Sequence, residues 1–170
     1  MKKLLVVVDM QNDFIDGALG TKEAQERLPL VLEKVKSSLK ASDEIVFTLD
    51  THNEDYMDTQ EGKHLPIPHC IRFSPGWELH KSLQSIPGKR FEKNTFGSQQ
   101  LAQYIVDHSF DEVELIGLCT DICVISNALL IKAFAPNLLL SVDSKCCAGV
   151  TPQSHDNALK AMEMCQVIIK

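Results

Sequence analysis

Five short runs of branched aliphatic residues punctuate this chain: LLVVV at 4–8, EIVFTL at 44–49, VELIGL at 113–118, LLLSV at 138–142 and VII at 167–169. Runs this short and this continuous suit strands covered on both faces, as in a parallel sheet. Helical patterns lie between them. EAQERLPLVLEKVKSSLKAS carries apolar residues at Leu28, Leu30, Val31, Val35 and Leu39. SQQLAQYIVDHS repeats the pattern with Leu101, Ile105 and Val106, and VISNALLIKAFA is almost wholly apolar. PQSHDNALKAMEMC opens with Pro152 after Thr151, a good helix start. FEK at 91–93, after Pro87-Gly88, reads as a further short strand. Strands alternating with helices predict an α/β chain, a parallel sheet with helices on both faces. The 170 residues suffice for one domain with a sizeable core, taken as residues 1–170.

Composition narrows the function classes. A net charge of −6 without a Lys/Arg block argues against nucleic acid as a partner. No apolar run approaches the ~20 residues of a membrane span, so no membrane partner is expected. The start, MKKLLVVVDMQNDF, imitates a signal peptide only until Asp9 breaks the run, and it reads better as a buried first strand. Cys70, Cys119, Cys123, Cys146, Cys147 and Cys165 lie mostly in apolar surroundings. Reduced thiols in a cytoplasmic protein are the expectation.

In an open parallel sheet, ligands bind beyond the carboxyl ends of the strands. Asp9 follows the first run, Asp50 and His52 the second, Lys93 the FE pair, CTDIC the fourth and Asp143 the fifth. No glycine-rich phosphate motif follows the first run, so a nucleotide site is unsupported. Cys123 falls at the start of a helix, where the backbone dipole favours a thiolate and outward N–H groups can hold an oxyanion. A carboxylate ending a buried strand needs a partner or a task. Asp9, Lys93 and Cys123 together can form a triad: Cys123 as nucleophile, Asp9 as general base and then acid, and Lys93 as the charge that steadies both. The stretch DTHNEDYMDTQEGKHLPIPHC at 50–70 crowds histidines, carboxylates and a cysteine into the one long irregular segment, 50–76. On residues alone it is either a metal site or a solvated loop.

VVVDMQNDF, then DTH, then HC some twenty residues on, a central lysine and finally GLCTDICV resemble the isochorismatase-like cysteine hydrolase superfamily. Within it the likeness is to the nicotinamidases, and it covers nearly the whole chain in order. The resemblance implies a three-layer α/β/α fold with a six-stranded, mainly parallel sheet ordered 3-2-1-4-5-6. It implies a triad at Asp9, Lys93 and Cys123, and an oxyanion hole at the backbone N–H groups of Cys119 and Cys123. It implies a cis Leu118–Cys119 peptide, with Cys119 standing where the family usually has alanine. It also implies a divalent metal held by Asp50, His52 and His69, with Glu61 as the fourth ligand and His64 as its competitor. Zinc is expected, with iron or manganese as alternatives. In that family the metal engages the ring nitrogen of nicotinamide. The implied activity is release of ammonia from a small amide, above all nicotinamide, through a Cys thioester. A ureido or carbamoyl amide is the alternative, and a non-catalytic binding protein a further one. Homo-oligomers are common in the family, so one is expected here. Phe14 and Trp77 are candidates to line a flat pocket for an aromatic ring. Asp121 is expected to cap the helix.

Overall fold

The computed structural model describes all 170 residues. The strands are Lys3–Val8 (β1), Glu44–Asp50 (β2), Lys89–Lys93 (β3), Glu112–Leu118 (β4), Leu139–Ala148 (β5) and Ile168–Ile169 (β6). They pair in the order β3-β2-β1-β4-β5-β6, every pair parallel. The helices are Asn12–Ile15 (α1), Lys22–Lys40 (α2), Gln60–His64 (α3), Gln99–His108 (α4), Ile125–Phe134 (α5) and Pro152–Met164 (α6). This is the α/β architecture that the alternating runs predict.

The central strand shows why its run is uninterrupted. Successive side chains on a strand point to opposite faces. Leu4, Val6 and Val8 pack with Leu101 and Ile105 of α4, Ala128 and Ile131 of α5 and Met162 of α6. Leu5 and Val7 pack on the other side with Phe14 and Ile15 of α1 and Ala24, Val31 and Val35 of α2. Each face has its own apolar layer, so neither can be polar. Four helices start on a hydroxyl cap: Thr21 accepts from the Ala24 N–H, Thr59 from that of Gly62, Ser98 from that of Leu101 and Thr151 from that of Ser154.

Two elements of the fold depart from the sequence expectations. The segment 50–76, read as irregular, holds a 3-10 turn at Tyr56–Asp58 and then α3. Polar bonds build it rather than apolar periodicity. Thr59 Oγ1 accepts from the Gly62 N–H at 3.0 Å, and the Tyr56 hydroxyl donates to the Leu65 carbonyl at 2.8 Å. The fifth strand does not end at Val142. It continues to Ala148, with a register shift on β4 between Leu115, opposite Val142, and Gly117, opposite Cys147. Asp143 therefore leaves the strand-end edge and binds Lys34 at 2.9 Å.

Because all strands run the same way, the residues after β1 and β4 and those ending β2 and β3 gather at one edge. Val8 lies opposite both Thr48 and Gly117, and Asp50 lies opposite Lys93. Gly117 is required there: its φ is +117°, and a Cβ would sit 2.1 Å from the Val8 carbonyl oxygen.

Candidate active site

Asp9 leaves β1 with φ +46°, turning its carboxylate into the sheet edge. Its backbone N–H donates to the Thr48 carbonyl at 3.2 Å. The Thr48 hydroxyl donates to Asp9 Oδ1 at 2.6 Å. Lys93 Nζ stands 2.7 Å from Asp9 Oδ2 and 3.5 Å from Cys123 Sγ. It also lies 3.6 Å from Asp50 Oδ1, as expected of facing residues on neighbouring strands. One ammonium thus touches the carboxylate, the thiol and the first residue of the histidine cluster. All these groups are buried.

Burial dominates their electrostatics. It pushes the Asp9 carboxyl above its ordinary range, with Lys93 pulling the other way. It pushes the Cys123 thiol well up too, again opposed by Lys93. Burial disfavours the Lys93 charge, but Asp9, Cys123 and Asp50 outweigh it and hold the ammonium firmly protonated. Cys123 sits in a π-helical turn, Thr120–Val124, that precedes α5, where the helix start favours a thiolate and burial favours the neutral thiol. The Leu118–Cys119 peptide is cis. The Cys119 N–H makes no backbone–backbone hydrogen bond and stays uncommitted. Asn127 steadies the turn by donating to the Cys123 carbonyl at 2.8 Å and accepting from the Ser98 N–H at 2.9 Å.

Beside the triad, Asp50, His52, Glu61 and His69 bring one ligand atom each within 4.8 Å of one another. Asp50 Oδ2 is 3.0 Å from His52 Nε2 and 3.4 Å from His69 Nε2. Glu61 Oε1 is 3.8 Å and 3.6 Å from the same two nitrogens. Ligands about 2.1 Å from a tetrahedral ion stand about 3.4 Å apart, so the donor set fits a small divalent metal. His69 Nδ1 lies 2.8 Å from the Ile67 carbonyl, which can only accept. In the neutral ring the proton belongs on Nδ1, leaving the Nε2 lone pair toward Asp50 and Glu61. Burial works against ionisation of Asp50, but bonds from His52 and His69 hold its carboxyl well below the usual range. The His69 ring loses charge to burial and regains it from Asp50, the Ile67 carbonyl and Glu61, for a net rise. Burial and then Asp50 push Glu61 up. Tyr56 backs the cluster, its ring centroid 4.8 Å from His52 and 5.0 Å from His69.

Cys123 and the four-donor cluster open into one cavity of about 970 Å³, with Phe14, His52, Glu61, His69, Phe96, Cys119 and Cys123 among its walls, while Asp9 and Lys93 lie behind it. Phe14, a candidate for the ring-binding wall, lines this cavity. Trp77 does not line the cavity. Its indole N–H donates to Thr51 Oγ1 at 2.8 Å, behind the site, and Phe96 supplies the second aromatic wall instead. His64 reaches the cavity wall but stays outside the four-donor cluster, its Nδ1 bonded to the Gln60 carbonyl at 2.9 Å. Asp121 does not cap the helix; its carboxylate accepts from the Val150 N–H at 3.2 Å. Sequence reasoning missed Gln11. Its side chain accepts from the Asp50 N–H and donates to the Asp50 carbonyl, both at 2.8 Å, and so clamps a ligand residue by its backbone. Asp13 was missed too, and it accepts from the Cys70 N–H at 2.8 Å, next to His69.

Known proteins share this fold. The family model described as "Isochorismatase domain" matches residues 3–170. The nicotinamidase of Escherichia coli is 25% identical over 194 residues, covering 95% of this chain and 90% of its own. The crystal structure of nicotinamidase PncA from Bacillus subtilis has a TM-score of 0.85 at 25% identity, covering 99% of each chain. The pyrazinamidase of Pyrococcus horikoshii in complex with zinc has a TM-score of 0.83 at 25% identity, covering 100% of this chain and 99% of that one. With its strand order and a family domain spanning almost every residue, the chain belongs to the isochorismatase family.

Proposed function

We propose that this protein is an amidohydrolase acting on carbon–nitrogen bonds, with nicotinamide as substrate and nicotinate and ammonia as products. The carrying observation is Lys93, whose buried ammonium touches both Asp9 and Cys123, with Cys123 at the wall of a cavity that also holds the four-donor cluster. In this dry site every further anion beside the one ammonium is costly. Passing the Cys123 proton to Asp9 moves one negative charge from the carboxylate to the sulfur while Asp50 stays ionised, so the number of anions around Lys93 is the same before and after. Proton transfer is thereby decoupled from the cost of creating a new buried charge, and Asp9 acts as general base despite the raised thiol pKa.

The Cys123 sulfur then attacks the amide carbon, and the carbonyl electrons move to oxygen. The backbone N–H groups of Cys119 and Cys123 receive that oxyanion. Asp9 returns its proton to the amide nitrogen, ammonia departs and a thioester remains on Cys123. Water, deprotonated by Asp9, attacks the thioester; the carboxylic acid leaves and the thiol is restored. Asp50, His52, His69 and Glu61 would hold a divalent metal, zinc being the ion named for the Pyrococcus relative. When bound, such an ion supplies a Lewis-acid anchor for a ring nitrogen. Phe14 and Phe96 offer apolar surface to the ring.

The ureido or carbamoyl alternative needs no ring anchor. The two histidines, with Nε2 atoms converging on one Asp50 oxygen, favour the nicotinamide reading. Ammonia release from a panel of small amides, with and without added zinc, tests it. Zinc-dependent turnover of nicotinamide above aliphatic and carbamoyl amides is expected; a preference for carbamoyl compounds overturns the substrate assignment.

A further inference from the structure

Thr48 is the one hydroxyl inside the otherwise apolar stretch Ile45–Leu49 of β2, and it is fully buried. A threonine there invites the question of what its oxygen does. Alternation along the strand puts it on the face of Asp50, toward the site edge. Its register partner is Val8, so it stands beside the point where the chain leaves β1 for Asp9.

Three contacts join the two residues. The Asp9 N–H donates to the Thr48 carbonyl at 3.2 Å and lies 3.3 Å from Thr48 Oγ1, and the hydroxyl donates to Asp9 Oδ1 at 2.6 Å. Lys93 takes the other carboxylate oxygen, Oδ2, at 2.7 Å. The carboxylate is therefore held at both ends by different groups. Lys93 alone would leave it free to rotate about its Cβ–Cγ bond, because a flexible ammonium follows either oxygen. With Thr48 on Oδ1, Oδ2 is fixed beside Lys93, which also touches Cys123 Sγ.

We infer that Thr48 is a positioning residue for the general base: its hydroxyl locks the Asp9 carboxylate so that one defined oxygen exchanges protons with Cys123 and the leaving nitrogen. Thr48 acts through Asp9 and touches no substrate. The inference rests on the proposed role of Asp9. General-base catalysis depends on geometry held to a fraction of an ångström, so a carboxylate free to turn works more slowly while substrate binding is untouched.

Thr48→Val keeps the β-branched shape suited to the strand and removes only the hydroxyl. Thr48→Ser keeps the hydroxyl and removes a methyl group. Thr48→Ala removes both without adding an apolar group against Asp9. Each is measured for kcat and KM with nicotinamide, for zinc affinity by chelator competition and for melting temperature. Thr48→Val and Thr48→Ala should lose about tenfold to a hundredfold in kcat, with KM and zinc affinity within about twofold of the parent. Thr48→Ser should recover most of the rate. Thr48→Val or Thr48→Ala at parental kcat, or Thr48→Ser as slow as Thr48→Ala, overturns the inference, as does a rate that simply follows melting temperature across the three variants. Asp9→Asn is the separate control: full activity in that variant removes the proposed role of Asp9 itself, whatever Thr48 does.

Discussion

Cys119 and Cys123 lie four residues apart on the same cavity wall, yet their side chains have unequal tasks under the proposed mechanism. Cys123→Ala should lower kcat by about four orders of magnitude or more, because no thioester can form. Cys119→Ala should keep activity, since only its N–H is used. Comparing steady-state rates of the two variants, with circular dichroism to verify folding, decides the point; equal losses would remove the assignment. Asp9 adds a pH signature. Its carboxyl is raised by burial and must be ionised to accept the thiol proton. Activity should therefore fall as pH drops through that raised value, placing the acid limb of kcat/KM above the ~3.9 of an ordinary aspartate. A profile flat down to pH 4 would contradict it.

At the scale of elements, the segment after β2 and the turn after β4 carry the site between them. The predicted strands were legible because a parallel strand buried on both faces must be apolar throughout, as Leu4 to Val8 are. Asp9, Asp50, Lys93 and Cys123 were legible as the polar groups that end or follow such runs. Gln11, Asp13, Thr48 and Tyr56 were not, since their roles arise from partners up to 57 residues distant, as for Asp13 and Cys70. Only Thr48 left a trace, as a lone hydroxyl in an apolar run. Trp77 misled because an indole offers the same apolar face to a core as to a ligand. His52 offers a direct test of the cluster. His52→Ala should cost nicotinamide turnover more than about tenfold beyond any loss with an aliphatic amide, because only the first substrate has a ring nitrogen to anchor. Parallel losses on both, or full nicotinamide turnover after exhaustive chelation, would argue for a merely structural cluster.

Across the whole molecule, a charged network sits at the end of the sheet opposite the site. Lys34 binds Glu114 and Asp143, each at 2.9 Å, while Lys170 binds Glu112 at 2.9 Å and Glu114 at 3.0 Å. Burial opposes ionisation of Asp143, but its bond from Lys34 lowers the carboxyl below its ordinary range; Lys170 and Lys3 lower Glu112. Both carboxyls thus give up their protons more readily folded than unfolded. Their contribution is complete above the ordinary ~4 of free carboxyls and drains away as pH falls through the lower folded values. Asp143→Asn should flatten this acid-side loss, as thermal melts from pH 6 down to pH 2 would show; an unchanged slope would count against the network.

Lys93 is the last residue of β3, and β3 has a neighbour on one side only. The triad thus draws two members from the interior of the sheet and one from its rim. Rim strands detach before central ones when a protein is loosened. In a urea titration, catalysis should fail at a lower concentration than the far-ultraviolet dichroism, and proteases should cut near residues 89–93 while β1 and β4 still resist exchange with deuterium. Coincident midpoints for activity and dichroism would mean that the rim strand is as firmly held as the centre.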